Sequence, residues 1–339
     1  MDTVEAPPRR RGVPKWLVPA IGYTVSAASL IWVFWKFPFA QLGDHLRTLE
    51  WNWVALAILL ELAVYFIDAW RWGVLLRPVG APSFGLCLLS VLVGVLANDI
   101  LPAKAGEVVR CFLLSYEAKV PLSLAITSDV ILRIMDGLWV VIVYLTITFQ
   151  ISTHVDVTRG MWFFGTGAVS IALVLLFVLF RRQHAHEFCK TKSWAARFVH
   201  LLEEIHRLGH WRELRSAMVI SGFYWLLQIL AIWALTKADR FDLGLSAAAF
   251  LLVVKAVLTL IPNAPANMGA YQAAVVYAFG FLLVERANAQ AFAEIMFGFL
   301  TLPAAVGGAI AVVFADIDLL ALHRHANRAR TQGKREAIS

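Results

Sequence analysis

Residues 98–110 read NDILPAKAGEVVR, and the apolar run GLCLLSVLVGVLA at 85–97 leads into them. An amide, two acids and two bases thus stand beside a proline and a glycine at the end of a stretch suited to an apolar environment. Pro102 removes a backbone donor and disfavours helix at the residue before it. Gly106 permits a tight turn and close backbone approach. From Glu107 the pattern restarts as a short helix running to Ser115. Glu107 lies in its first turn, where a carboxylate suits the positive helix end. Arg110, three residues on, shares a face with it. The stretch from Phe84 to Ser115 therefore reads as one apolar segment broken at 98–106.

The rest of the chain decides what such a break means. Of 339 residues, 60% are hydrophobic and 16% charged, with a mean hydropathy of +0.71. A soluble domain carries about 25% charged residues. The apolar residues fall into long blocks, and a bilayer-spanning helix needs about 20 of them. The reading is an all-α polytopic membrane protein with full spans at 17–35, 53–70, 123–149, 161–180, 216–236 and 291–315. A second interrupted stretch runs from Ala247 to Val284. It is broken at 262–269, within TLIPNAPANMGAYQ (259–272), by Pro262, Pro265 and Gly269. Each half of an interrupted stretch is short for a span. The expected architecture is therefore about six full transmembrane helices plus two broken or re-entrant helical hairpins in an inverted repeat.

The net charge of +7 and pI near 9.5 would raise nucleic acid for a soluble protein. Here the bases sit between apolar runs, as membrane orientation requires. No nucleic-acid partner is expected. With the N-terminus in the cytoplasm, 20 bases fall in inside segments, Arg71 and Arg77 among them, and 6 fall outside. Both termini are expected in the cytoplasm of a bacterial inner membrane. The expected organisation is a basic tail at 1–16, one membrane domain at 17–318 and a second basic tail at 319–339. The run at 17–35 is too long for a signal-peptide core, and no small-residue cleavage site follows it. Residues 193–212, in a cytoplasmic loop at about 181–215, carry apolar side chains at helical spacing. They suit an amphipathic helix on the membrane surface or one packed under the bundle. In this orientation the first hairpin enters from the cytoplasm and the second from outside. Paired Gly/Pro interruptions of opposite sense are a sequence pointer to a transport site. The plainer reading makes both breaks interfacial loops.

Charges inside apolar segments are the remaining candidates, because such residues usually pair or face a cavity. Asp129, Arg133 and Asp136 follow steps of four and three along one helix face. They read either as an ion-pair network between helices or as substrate contacts. Glu61 and Asp68 share a face of the second span, with Asp68 near the interface beside Arg71. Lys255 has no local partner and is either snorkelling or an anion contact. Cys87, Cys111 and Cys189 form no paired motif. The His184/His186 and His323/His325 pairs lack completing ligands. No zinc-protease, nucleophile-elbow or P-loop signature occurs. No metal, cofactor or catalytic residue is expected, and the protein is read as a non-enzyme.

Taken whole, residues 98–110 resemble the signature of the flippase-like family typified by the membrane region of lysylphosphatidylglycerol synthases, roughly N-x-x-L-P-x-[KR]-x-G-E-x-x-R. Asn98, Leu101, Pro102, Lys104, Gly106, Glu107 and Arg110 all match it. The resemblance extends over about 17–318. The family's second signature, near P-x-x-x-G-x-G-x-x-E, departs here: Asn267 stands at its first glycine and Gln272 at its acid. That departure bears on the cationic headgroup of the namesake lipid. Other members are associated with hopanoids, glycolipids or polyprenyl-linked pathways. The resemblance implies lipid translocation rather than aminoacyl transfer, which belongs to a separate soluble domain in the namesake.

Residues and resemblance together give a set of expected substrate contacts. In the first hairpin these are Asn98, Asp99, Lys104, Glu107 and Arg110. In the following span they are Asp129, Arg133 and Asp136. In the second hairpin they are Lys255, Asn263, Asn267 and Gln272. Pro102, Gly106, Pro262, Pro265 and Gly269 are expected hinges. Lys104 and Arg110 suit a phosphate, Asp99 and Glu107 an amine or those bases, and Asn98 a cap on the broken helix. Two functions follow: a lipid flippase, or a membrane-embedded lipid-modifying enzyme or its accessory subunit. The expected partners are a membrane lipid, with a second copy or a lipid-synthesis enzyme as further possibilities.

Overall fold

The computed structural model describes residues 39–101, 104–148, 211–260 and 265–314. They form nine α-helices, and no strand occurs among them. The short α1 (Phe39–Thr48) precedes α2 (Trp51–Leu76). Then come α3 (Phe84–Ile100), α4 (Gly106–Ala118) and α5 (Leu122–Thr148). The remaining helices are α6 (Trp211–Ala238), α7 (Leu245–Leu258), α8 (Ala270–Phe281) and α9 (Arg286–Phe314).

Four helices, α2, α5, α6 and α9, are long and apolar enough to cross a membrane. The 26 residues of α2 reach about 39 Å at 1.5 Å each, against a hydrocarbon core of about 30 Å. These four match the spans expected at 53–70, 123–149, 216–236 and 291–315. By contrast α3, with 17 residues, and α7, with 14, fall short of the usual spanning length. The spans expected at 17–35 and 161–180 and almost all of the loop at 181–215 lie outside the described residues.

The axis of the molecule is the antiparallel pair α2 and α6, which pack together along their length. At one end the Glu50 amide bonds to the Ala238 carbonyl at 2.9 Å, and Trp53 meets Trp233 edge-on at 5.4 Å. Farther along, Arg71 reaches Ser221 at 3.2 Å. At the Glu50 end, His45 from α1 bonds to Asp239 at 2.6 Å and to Asn288 at 3.3 Å, joining α1 to the turn after α6 and to the first turn of α9. At the other end Trp72, Leu76, Val120, Leu124 and Ala217 share a core. The larger core, which includes Phe250, Phe279 and Phe292, fills the Glu50 end.

The two interrupted pairs open toward opposite ends. The pair α3 and α4 begins and ends beside the Leu76–Val120 core. The pair α7 and α8 begins and ends beside Phe241, which stacks on Phe279 at 5.3 Å. Their tips approach one another: α3 packs against the short 3-10 turn Pro265–Asn267 that precedes α8.

One expectation is corrected. Arg71 does not lie in a cytoplasmic loop, and Asp68 beside it is buried within the protein. The helix continues to Leu76, and Arg71 is completely buried with Asp68 6% exposed. A buried guanidinium is tolerable because carboxylates from two helices meet it. Removing Arg71 from the inside bases leaves 19 against 6, so the asymmetry of charge persists.

Candidate functional site

The first polar region is a network of three arginines and four carboxylates carried by α2, α4 and α5. Within α2, Arg71 Nε donates to Asp68 at 2.7 Å. Its two terminal nitrogens fork onto Asp136 of α5 at 2.5 and 3.1 Å. Arg110 of α4 donates to Asp68 at 3.2 Å and also to Asp129. Arg133 of α5 donates to Glu107 at 2.9 Å and more weakly to Asp136 at 3.5 Å. Planar, bidentate geometry is what guanidinium supplies and ammonium does not. Aromatic faces cover the cations, Tyr224 lying 4.0 Å from Arg71 and Trp72 5.1 Å from Arg110. Four carboxylates against three guanidiniums leave one negative charge. Lys104, within electrostatic reach of Glu107 and Arg133, balances it. The network is closed at Arg71 and open at Arg133, whose side chain is 43% exposed.

The break at 98–106 is built by two glycines and an asparagine. The Gly106 amide donates to Asn98 Oδ1 at 2.8 Å, so Asn98 caps the restarted helix as expected. A Cβ on Gly106 would strike the Gly94 carbonyl, and one on Gly94 would lie 2.7 Å from Arg110 Cβ. The paired glycines therefore bring α3 and α4 close enough for Arg110 to reach α2. Lys104 adopts φ +55°, the left-handed region that a non-glycine residue enters only when held there.

The second polar region lies where the tips approach. Lys255 of α7 sits 5.4 Å from the Tyr271 ring centre and is within electrostatic reach of Glu61 on α2. One turn along α2, the Tyr65 hydroxyl donates to Glu61 at 3.3 Å and lies within electrostatic reach of Asp99. One charged group from each interrupted pair, Asp99 and Lys255, is thus within electrostatic reach of this part of α2. On the second tip, Gln272 is 2% exposed and accepts from the Gly269 amide at 2.8 Å. Its amide nitrogen lies 3.5 Å from Glu294 of α9. Ala266 and Asn267 stand consecutively at φ +57° and +53°, and Gly269 at +85°. Two polar atoms of this region are buried without a hydrogen-bond partner, Asp99 Oδ2 and Glu294 Oε1.

The family model of the lysylphosphatidylglycerol synthase TM region matches residues 20–312. The chain belongs to that family. Among curated relatives, a UPF0104 membrane protein of Methanothermobacter thermautotrophicus is 20% identical over 274 residues, 71% of this chain and 79% of that one. A match to a UPF0104 membrane protein of the same organism, 31% identical over 103 residues, covers 29% of each chain. Another, of Methanocaldococcus jannaschii, is 32% identical over 88 residues, 25% of this chain and 26% of the relative. No solved structure matches.

Within this family member the structure gathers the expected residues into two groups. Glu107, Arg110, Asp129, Arg133 and Asp136 fall in the first region, with Lys104 at its edge. Asp99, Lys255, Asn267 and Gln272 fall at the tips. Arg110 is 5% exposed and committed to carboxylates, so Arg133 and Lys104 are the bases that face open space. Pro102, Pro262 and Asn263 lie outside the described residues. Sequence reasoning did not find Glu294, one acid in a long apolar run with no motif around it. Its only signal was its charge.

Proposed function

We propose that this protein moves a polar-headed lipid between the leaflets of a bilayer, through the space where the two interrupted hairpins meet. The observation that carries the reading is the packing of α3 against the Pro265–Asn267 turn, which brings the two breaks together, with Asp99 Oδ2 and Glu294 Oε1 buried and without a hydrogen-bond partner. Irregular backbone and unpaired polar groups persist at membrane depth only against protein or a polar cavity. A headgroup supplies the missing partners while the acyl chains stay in lipid. In this reading the hairpins are re-entrant and of opposite orientation, and 17–35 and 161–180 complete six spans. Both termini face the cytoplasm of a bacterial inner membrane. Arg133 and Lys104 receive the headgroup at the open edge of the ion network. The substrate is a phospholipid, aminoacylated lipid, hopanoid or polyprenyl-linked lipid.

Purified protein in liposomes tests this. Acyl-labelled phosphatidylglycerol, or the lipids retained on purification, should equilibrate between leaflets faster than in protein-free vesicles, with no change in mass. Wild-type transfer no faster than the empty vesicles sinks the proposal. A new lipid product would point instead to a membrane-embedded enzyme.

A further inference from the structure

Glu294 is an acid without a cation. It lies just over two turns into the apolar helix α9, half-buried, and its Oε1 is buried without a hydrogen-bond partner. Its other oxygen meets one side chain, Gln272 Nε2, at 3.5 Å, the long limit of a hydrogen bond. Arg71, Arg110 and Arg133 each hold carboxylates within 4.0 Å, whereas no ion pair of Glu294 occurs among the described residues. A carboxylate with one oxygen buried and unpaired, and without a cation, is costly as an anion. The proton is the ligand that removes the cost without needing more room.

The neighbours of Glu294 give its protonation somewhere to act. Charged and titratable side chains on the elements packed against α9 include His45 from α1, Glu61, Tyr65, Asp68 and Arg71 from α2, Asp99 from α3, Tyr224 and Lys237 from α6, and Tyr271 and Tyr277 from α8, and no ion pair among the described residues joins any of them to Glu294. Gln272 is the group bonded to Glu294, and the same Gln272 holds the Gly269 amide at 2.8 Å. Gly269 closes the left-handed stretch at Ala266 and Asn267, and α3 packs on that turn. Loss of charge at Glu294 therefore changes the acceptor strength felt by Gln272. Through Gln272 it changes the cap that fixes the second tip, and through the turn the surface on which the first hairpin rests.

We propose that Glu294 is a proton-binding site whose occupancy sets the second hairpin tip, so that lipid movement is coupled to a pH gradient. The coupling rests on the transport reading above; the binding of the proton does not. The proton is taken from water on one side and released to water on the other, with no bond in the lipid made or broken.

Two measurements on the full chain separate these parts. Infrared difference spectra between acid and alkaline pH should show the carbonyl stretch of a protonated carboxylic acid. That band should be missing in Glu294→Gln and displaced in Glu294→Asp. The aspartate variant keeps the test open if the glutamine variant fails to fold. An identical band in both variants overturns the site. In liposomes of phosphatidylethanolamine and phosphatidylglycerol carrying acyl-labelled phosphatidylglycerol, one coupled proton shifts the steady-state leaflet ratio about tenfold per unit of imposed pH difference. In Glu294→Asp and Glu294→Gln that dependence should weaken or vanish. Wild-type transfer with no gradient dependence overturns the coupling and leaves the flippase standing. No wild-type transfer overturns the flippase and with it the coupling, and the infrared band alone then decides the proton site.

Discussion

The two polar regions of this bundle handle charge in opposite ways. Around Arg71 and Arg110, every carboxylate has a guanidinium, and aromatic rings close over the cations. At the hairpin tips, Glu61, Asp99, Lys255 and Glu294 stand on four different helices, with no ion pair within 4.0 Å among the described residues. Both regions touch α2, and Glu61 and Asp68 stand only two turns apart on it. The contrast teaches that a charge inside an apolar bundle is not by itself a functional signal. What distinguishes the tips is that their ionisable groups stay without an ion pair after the fold has formed.

Substitutions should separate the two regions. Arg71→Leu removes the closest cation of both Asp68 and Asp136, leaving them the longer contacts of Arg110 and Arg133, and should cost about 3–5 kcal/mol. It should appear as collapse of the monodisperse peak in fluorescence-detected size exclusion. An undiminished peak and unchanged melting would erase the distinction drawn here. Arg110→Lys keeps the charge but cannot bond Asp68 and Asp129 together. It should cost roughly 1.5–3 kcal/mol, the worth of one hydrogen bond to a charged group, read as a lower melting temperature. Lys255→Met removes the lone base of the tip region. It should leave melting within about 1 kcal/mol, the scale of losing an exposed or weakly paired charge, while slowing lipid transfer. A loss of folding as large as that of Arg71→Leu would make Lys255 a structural residue. Arg133→Gln, at the exposed edge, should shift stability by about 1 kcal/mol or less and alter transfer at low lipid concentration first. The smallest structural perturbation is a cysteine pair at Ala105 and Ala270 with Cys87, Cys111 and Cys189 replaced. A short bifunctional reagent should join them, since the tips adjoin. Failure to crosslink, with both thiols labelled singly, would place the tips apart.

The helical class, the four described spans and both interruptions were legible because length and hydropathy alone specify them. The glycine at 106 and the amide at 98 were legible because a break in hydrocarbon needs a cap and a close approach. The role of Arg71 was not. Its local neighbourhood looks like a helix end, and its decisive partner Asp136 lies 65 residues away. Pairing across that separation leaves no periodic trace. The stripe Asp129–Arg133–Asp136 invites a local solution in which the three neutralise one another. In the fold Asp129 and Asp136 instead bind arginines of other helices, and Arg133 turns to Glu107. Lys255 lacked a partner in sequence because Glu61 approaches from a helix nearly two hundred residues earlier.

The clasp at the Glu50 end carries a consequence for how the protein is made. His45 lies near the start of the chain, and its partners Asp239 and Asn288 follow 194 and 243 residues later. At about 5–20 residues per second of synthesis, the wait for Asn288 is roughly 12–50 s. Until α6 has been made, α1 lacks Asp239, and until α9 begins it lacks Asn288 as well. The early part of the protein must therefore wait with that rim unfastened, and His45 is fastened in two steps as α6 and then α9 arrive.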